Sequence, residues 1–233
     1  MNKQFTTSLL ASGVFLLTCE AQAQSTLHIG PQVGLNLASA SYFDNSYRIK
    51  SRAGFEAGVL GSLDFGHISL QPALLFSQKG YYLASGSNPT TGMHDDKFRL
   101  NYLTLPIKVV YTPRKDGQGV QFLAGAYLGL LVGGHYERTY IQPTTTTVTA
   151  GPIVPDQSPL NSEEYSSQRL DAGFLVGLGY RYKQAQVQAN FTWGGPNLAV
   201  DYLFKGVRYA NPIYRNQAMQ LSLAYLLYSK SKT

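Results

Sequence analysis

The sequence predicts an all-β fold: an eight-stranded antiparallel transmembrane up-and-down β-barrel with long extracellular loops and short periplasmic turns. Three observations support this fold class. One segment has two unlike faces when it is arranged as a strand, the connections between such segments alternate between long and short, and the N-terminus carries an export signal. Together they favour a membrane barrel over a soluble domain.

The central segment, residues 169–182, has the sequence RLDAGFLVGLGYRY and shows the two faces most clearly. Side chains alternate across a strand, so every second residue shares a face. One face is apolar and ends in two tyrosines, whereas the other carries charges and glycines. In a membrane barrel, lipid covers the apolar face and the lumen takes the polar face. A soluble ligand-binding barrel, the main alternative, would turn its apolar face inward.

Seven further segments alternate in the same way. In chain order they are LHIGPQVGLNLA, AGFEAGVLGSLDF, ISLQPALLFSQKGY, NYLTLPIKVVY and VQFLAGAYLGLLVGG before the central segment, and AQVQANFTW and QAMQLSLAYLLY after it. The connections run long, short, long, short, long, short, long, which is typical of outer-membrane barrels. Each segment offers the roughly 9–11 residues that a tilted crossing needs. The even number of strands predicts that both termini lie on the periplasmic side.

Two places are predicted to depart from regular strands. Pro72 cannot donate a ladder hydrogen bond, so we expect a β-bulge there. The longest loop, residues 135–166, contains a threonine run and four prolines, which predict an absence of regular structure.

The N-terminus has the features of a secretory signal. Lys3 precedes an apolar run at residues 9–17, and the AQA sequence at residues 21–23 is a small-x-small cleavage site. These features predict a signal peptide at residues 1–23, a barrel domain at residues 24–233 and a location in the cell outer membrane.

The one cysteine of the chain allows a second interpretation, lipoprotein processing at Cys19, but Thr18 is a poor residue before a lipidated cysteine. Cleavage after Ala23 would leave a mature chain without thiols. The formal net charge of +6 survives this cleavage because Lys3 and Glu20 leave together. In an exported chain, such a charge favours contact with the anionic headgroups of outer-membrane lipid over nucleic acid.

Several segments resemble a known family. The stretches AGFEAGVLGSLDFGHISLQPALLFSQKGY, YLTLPIKVVY and DAGFLVGLGYRY are similar to the PorT-like, or porin-family, outer-membrane β-barrel proteins of Bacteroidetes. The resemblance covers nearly all of the mature chain and implies an outer-membrane location and this barrel. It implies little about activity, because fold does not fix function. The chain ends in YLLYSKSKT, so the signal for the barrel-assembly machinery, an expected partner, is predicted at residues 225–228.

The predicted strands assign the candidate functional residues to two faces. Six charged residues are predicted to face the lumen: Glu56, Lys79, Lys108, Arg169, Asp171 and Arg181. Twelve residues are predicted to face lipid: Leu103, Leu105, Ile107, Val109, Leu170, Phe174, Val176, Leu178, Phe191, Leu221, Leu223 and Tyr225.

The lumen charges allow two functions. In a packed interior, acids and bases pair, and an eight-stranded barrel has just enough room for side chains to fill it. In a polar conduit, the four basic and two acidic residues would favour anions. The packed interior is the favoured prediction, with Lys108 or Arg181 as the partner of Glu56.

An enzymatic role, such as that of a lipid-modifying hydrolase, would require a nucleophile, a base and an orienting acid in one place. His28 and His67 fall near the periplasmic rim, and no motif accompanies His135. The HDD stretch at residues 94–96 is predicted to lie in a loop, where adjacent side chains cannot surround a metal ion alone.

We therefore expect a non-enzymatic protein without a cofactor or metal. Its extracellular loops are expected to serve a binding or scaffold role, with other envelope proteins, such as those of a secretion assembly, as the partner class. The aromatic residues expected to form this surface or to anchor it in the interface are Tyr42, Phe43, Tyr47, Tyr81, Tyr82, Tyr202, Phe204, Tyr209 and Tyr214.

Overall fold

The computed structural model describes residues 26–42, 47–85, 93–141, 145–156, 165–204, 207–209 and 213–228. In these residues, no helix is long and apolar enough to cross a membrane. The predicted signal peptide and Cys19 lie outside the described residues, so cleavage after Ala23 stays a prediction.

The described secondary structure is entirely β-structure, as the sequence predicts. The strands are β1 (Thr26–Tyr42), β2 (Tyr47–Phe65), β3 (Ile68–Ser85), β4 (Met93–Tyr111), β5 (Gly119–Ile141), β6 (Thr146–Pro155), β7 (Tyr165–Ser167), β8 (Leu170–Tyr182), β9 (Ala185–Gly194), β10 (Tyr202–Phe204), β11 (Val207–Tyr209), β12 (Tyr214–Tyr225) and β13 (Leu227–Tyr228).

The main sheet closes on itself. Antiparallel pairs join β1 to β2, β2 to β3, β3 to β4, β4 to β5, β5 to β8, β8 to β9 and β9 to β12, and a final pair joins β12 back to β1. The closing pair places Leu35 opposite Leu221 and Val33 opposite Leu223. A closed antiparallel sheet is a barrel, so the predicted fold class is confirmed.

The two ends of the barrel differ in their connections. At the turn end, Gly66 and His67 join β2 to β3, residues 112–118 join β4 to β5, and Lys183 and Gln184 join β8 to β9. Gly66 has a φ of 78°, which glycine adopts without steric cost. The opposite end, which we call the loop end, carries β6, β7, β10 and β11 and the other four connections of the circuit, of which the one from β1 to β2 is short, with four residues.

The two faces of the barrel wall follow the alternation that the sequence predicts. On β8, Phe174 is 72% exposed while its neighbour Leu175 is 2% exposed. The outward rows are apolar on every strand of the circuit, for example Val33 on β1, Val59 on β2 and Leu105 on β4. The inward rows hold most of the buried polar residues. The apolar side chains therefore form a continuous outer band.

Strands β2, β3, β4 and β5 are longer than predicted, with 19, 18, 19 and 23 residues. The segment expected to form a loop after residue 80 instead continues the β3–β4 ladder, where Tyr81 lies opposite Phe98 and Leu83 opposite Asp96. Its inward positions are apolar except for Asp96, but its outward positions become mostly polar above the apolar band. Because the outward positions are no longer uniformly apolar, the alternation that identifies lipid-facing residues does not predict this part of the strands.

The prediction that residues 135–166 lack regular structure is also wrong. Strand β5 continues to Ile141, β6 pairs with it in antiparallel orientation, and β7 adds a short parallel pair to β6. Threonine and valine, which are β-branched, favour the extended backbone of β6. Its Pro152 lies opposite His135 near the margin of the sheet, where a missing N–H is tolerated.

The predicted bulge at Pro72 is absent from the ladder. Leu60 opposite Ala73 and Leu63 opposite Leu70 keep one register across this position, so β3 contains no inserted residue there. The register shifts instead between Ser51 and Glu56 in the β2–β3 pair, and at Asn101 and Tyr102 in the β4–β5 pair. Both shifts lie toward the loop end, where the long strands rise past the apolar band.

Candidate functional site

The first layer of the barrel interior, at the turn end, is an ion-paired bridge. Arg181 on β8 donates to Asp64 on β2 at 2.8 Å, and these two strands lie on opposite sides of the circuit. Ser62 donates to the same carboxylate at 2.6 Å, and His28 Nε2 lies 3.3 Å from it. The bridge therefore spans the bore at its turn end.

Glutamines form the next layer. Gln71 on β3 donates to Gln186 on β9 at 3.1 Å and accepts from Gln188 at 2.9 Å, again between opposite strands. Lys108 on β4 donates to Gln188 Oε1. All four side chains are buried. This second bridge closes the bore with amide hydrogen bonds.

Glu56 lies above the glutamine layer and accepts two amide hydrogen bonds. Gln32 donates to its Oε1 and Gln220 to its Oε2, each at 3.1 Å. Beside it, a cavity of about 20 Å³ is lined partly by Lys79 and Lys108. That volume holds about one water molecule. The predicted partners of Glu56 were lysine or arginine, whereas its hydrogen-bond donors are neutral amides.

The fourth layer is built around Asp171. Lys79 on β3 donates to Asp171 on β8 at 3.3 Å, and both side chains are almost completely buried. Tyr127 and Asn216 also donate to this carboxylate, at 3.3 and 3.0 Å. Asn216 donates in addition to the Tyr102 hydroxyl at 3.1 Å. A buried carboxylate with three partners on different strands links the barrel strands at this height.

An aromatic cluster fills the loop end of the bore. Tyr81 and Phe98 stack with ring centroids 4.8 Å apart, and Tyr165 packs on Phe98 at 4.7 Å. Tyr214 lies 5.8 Å from Tyr81 and hydrogen-bonds Ser167. The buried members of the cluster are Ala40, Tyr81, Leu83, Phe98, Leu100, Tyr102, Leu131, Tyr136, Ile153, Leu198, Ala199 and Tyr214.

This cluster changes the role expected for two loop tyrosines. Tyr81 and Tyr214 were expected on a binding surface or in the interface, but both are buried inside the barrel. Tyr82 is exposed on the outer face. The side chains of the other six aromatic residues assigned to the loops lie outside the described residues.

Five of the six charged residues predicted for the lumen are buried there: Glu56, Lys79, Lys108, Asp171 and Arg181. Arg169 is the exception. It lies before β8 begins, its side chain is 50% exposed, and it pairs with Asp156 at 3.2 Å near the loop end. The predicted strand started one residue too early, so Arg169 was wrongly placed on the inward face.

Asp64 is the lumen residue that the charge prediction omitted. It shares the even-numbered inward face of β2 with Glu56, and that spacing is the signal that could have identified it. With Asp64 included and Arg169 removed, the described charge network between the turn end and the aromatic cluster contains three bases and three acids. They are Lys79, Lys108 and Arg181 with Glu56, Asp64 and Asp171.

The twelve residues predicted to face lipid all point outward. Eleven are exposed large apolar side chains of the outer band, and Phe191 is partly covered by Trp193, whose ring centroid lies 4.4 Å away. Toward the loop end, the band stops at Phe76 on β3 and Leu103 on β4, and Gln78 pairs there with Asn101.

We call the part of β2 to β5 beyond this boundary, together with β6, the wall. Its outward rows are charged, with Lys97 and Glu137 paired at 2.7 Å, while Asp96 on the inner side accepts from Arg138 at 2.8 Å. Farther up, apolar side chains return on the outer side at Ile141 on β5 and Val148 on β6. We call these two residues the tip.

The HDD stretch lies on β4, which corrects its predicted loop position. The side chain of His94 is outside the described residues, Asp95 is partly exposed, and Asp96 is held by Arg138. This ion pair raises the pKa of Arg138, so the guanidinium stays charged. No group of three or more His, Cys, Asp or Glu side chains in the described parts of the chain could hold a metal ion.

A closed antiparallel sheet with an apolar outer band and a charge-paired interior defines a membrane β-barrel. The sequence profile of the family described as outer membrane protein beta-barrel domain matches residues 21–202. The chain therefore belongs to this family, and its location is the outer membrane. No curated protein shows significant sequence similarity to it.

Solved structures of outer-membrane barrels are similar at low sequence identity. The attachment invasion locus protein Ail of Yersinia pestis is 10% identical, with a TM-score of 0.42 over 86% of this chain and 99% of that chain. OprG of Pseudomonas aeruginosa is 7% identical, with a TM-score of 0.38 over 88% and 96%. The N-terminal barrel of OprF from the same organism is 11% identical, with a TM-score of 0.29 over 84% and 97%.

Proposed function

We propose that the protein is a non-enzymatic, non-conducting outer-membrane barrel that presents the wall to the outside of the cell as a binding or scaffold surface. The observation that carries this proposal is the set of bridges across the bore. Arg181 to Asp64, Gln71 to Gln186 and Lys79 to Asp171 join distant strands at three successive heights. Above them the aromatic cluster fills the remaining space.

The same geometry supports this role over an anion-favouring pore. That alternative depended on an excess of basic residues in the lumen. Arg169 faces outward and Asp64 faces inward, so the described network balances at three charges of each sign. A neutral, hydrogen-bonded interior offers an ion neither a continuous path nor a preferred sign.

The tip supports a binding role. Val148 is 59% exposed, and on the same face of the neighbouring strand Ile141 lies two residues beyond Thr139, which is opposite Val148. Charged rows separate these side chains from the lipid-facing band, so the bilayer cannot cover them. Apolar side chains that gather outside both core and membrane are typical of protein contact sites. An envelope or extracellular protein is accordingly the proposed partner class of the tip.

Three narrower statements complete the proposal. The signal peptide at residues 1–23 directs export, and the barrel-assembly machinery inserts the chain. Kinship with PorT-like proteins of Bacteroidetes is proposed from the sequence segments quoted above, and it makes a secretion or envelope assembly the first place to seek a partner of the tip.

Current measurements on purified barrel in planar lipid bilayers test the closed bore. We expect no steady current above that of the protein-free bilayer at either sign of voltage. Insertion is checked independently by the heat-modifiable mobility of the folded barrel. A steady current from inserted, unmodified protein would overturn the non-conducting role, and a preference for anions would restore the pore.

A further inference from the structure

A basic surface occupies the outer side of the wall directly above the apolar band. It consists of Arg48, Lys50 and Arg52 on β2 with Lys97 and Arg99 on β4, and Arg52 alone is partly covered. Lys50 and Lys97 both lie opposite Tyr82 on β3, whereas Arg99 lies opposite Gly80. The five cations therefore share one face of three adjacent strands. We call this set the basic face.

The basic face has a surplus of positive charge. Glu137 pairs with Lys97, and Asp95 is the other acid on these rows. Arg48, Lys50 and Arg99 have no acidic partner among the described residues. Like charges held close together without partners repel one another, so an anion bound between them would relieve that repulsion.

One arginine of the face is already fixed in position. Arg52 donates to the Phe98 carbonyl at 3.0 Å, and its guanidinium lies 6.0 Å from the centroid of the Tyr82 ring. Gly80 keeps the acceptor accessible, because a Cβ there would lie 2.1 Å from the Phe98 carbonyl oxygen to which Arg52 donates. Arginine forks of this kind suit phosphate oxygens, and a fixed side chain loses little entropy on binding.

The height of the basic face matches a lipid headgroup. Arg99 precedes Leu103, the end of the apolar band on β4, by four residues and lies on its loop-end side. At about 3.3 Å per residue, this places its Cα about 13 Å farther along the strand, or about 10 Å higher at a tilt near 40°. The headgroup layer is about 5–8 Å thick, so a long basic side chain can reach it.

Among the residues that the structure describes, the rest of the circuit lacks this surplus at the same height. The outward residues of β1 and β12 there are Ser39, Ser41 and Gln217, and Arg215 has a further interaction within the structure. Arg169 near β8 pairs with Asp156. Within the described part of the chain, the positive surface therefore lies on one side of the barrel, above the exposed apolar side chains of Phe55, Phe76 and Leu103.

We propose that the basic face binds the phosphate groups of lipid headgroups in the outer leaflet. One lipid molecule then contacts both the apolar band and the basic face of the same strands, because its acyl chains cover the band and its phosphates bind the cations. A soluble polyanion would use only the upper surface. The inference rests on the proposed outward orientation of the loop end, and it is independent of whether the bore conducts.

Native mass spectrometry of the purified barrel with lipid A, a phosphorylated glycolipid, tests the proposal. The test variant is Lys50→Gln with Arg99→Gln, and the matched control is Lys115→Gln with Lys183→Gln at the turn end. Each juxtamembrane cation contributes about fivefold to anionic lipid binding, so the test variant should bind lipid A about 25-fold more weakly. The control should stay within about twofold of the unmodified protein, and both variants should keep the heat-modifiable mobility of a folded barrel.

Three outcomes would overturn the proposal. Binding by the test variant within about twofold of the unmodified protein would show that the basic face is not the site. An equal loss in the control would show that net charge alone attracts the lipid. Displacement of lipid A by millimolar inorganic phosphate would identify free phosphate as the ligand. If the bore conducts while the test variant still loses lipid A, the proposed closed bore fails and the lipid site stands.

Discussion

Replacing Asp171 by asparagine removes one negative charge from the barrel interior while leaving the side chain almost unchanged in shape. Lys79 then keeps its charge at a buried position without the carboxylate 3.3 Å away. Because neither side chain reaches bulk solvent, at most the single water molecule that fits the cavity beside Lys79 can replace the lost partner. We expect Asp171→Asn to be among the most destabilising conservative substitutions in the chain.

The size of the effect follows from the surroundings of Lys79. Removing one partner of a buried ion pair costs about 3–5 kcal/mol. The Lys79 ammonium lies 4.5 Å from the centroid of the Tyr127 ring and 5.3 Å from that of Tyr102, and these cation–π contacts remain in the variant. Each offsets part of the loss. We therefore expect a fall near the lower limit, about 3 kcal/mol in the free energy of unfolding.

Urea unfolding in phospholipid vesicles, followed by the fluorescence of the single tryptophan, Trp193, measures this loss. Glu137→Gln is the matched control, because it breaks the exposed pair with Lys97 and should have a much smaller effect. Adding Lys79→Gln to Asp171→Asn removes the stranded charge and should restore part of the stability. A small effect of Asp171→Asn, equal to that of Glu137→Gln, would refute the reasoning, as would strict additivity in the double variant.

Two further predictions use the same unfolding assay. Phe174→Arg places a charge in the apolar band and should cost about 2–4 kcal/mol, whereas Val148→Arg at the tip should be tolerated, and equal losses would contradict the position of the band. On the inward face of β5, Gly125→Ala should destabilise the barrel because the added Cβ would lie 2.2 Å from the Ile107 carbonyl oxygen. Gly129→Ala should be tolerated because the nearest atom to its Cβ would be 3.4 Å away. A larger loss of stability for Gly129→Ala than for Gly125→Ala would contradict the packing.

Period-two alternation was sufficient to predict the membrane-spanning part of the barrel. Lipid imposes a uniform apolar requirement on every second residue, so Leu103 to Val109 and Phe174 to Leu178 carry their orientation in the sequence itself. The same alternation placed Glu56, Lys79 and Lys108 on the buried face. Beyond the boundary at Gln78, water replaces lipid outside the wall and the apolar signal disappears, although the strands continue.

Partners across the bore could not be predicted in the same way. Contacts such as Gln71 to Gln186 join strands that are far apart in the chain, and their heights depend on the stagger of every intervening pair. The aromatic cluster shows the same limit, because Tyr81 and Tyr214 meet only after the sheet closes. The registers of all the strand pairs together set the heights of these residues, and no local sequence pattern predicts them.

The most direct test of the account is which end of the barrel faces the outside of the cell, because both the tip and the basic face act only there. A cysteine at Thr146 on β6 and another at Gln184 in the turn after β8 can be probed with an impermeant thiol reagent. We predict that Thr146→Cys reacts on intact cells and that Gln184→Cys reacts only after lysis. Labelling of Gln184→Cys on intact cells, with Thr146→Cys protected until lysis, would contradict the account.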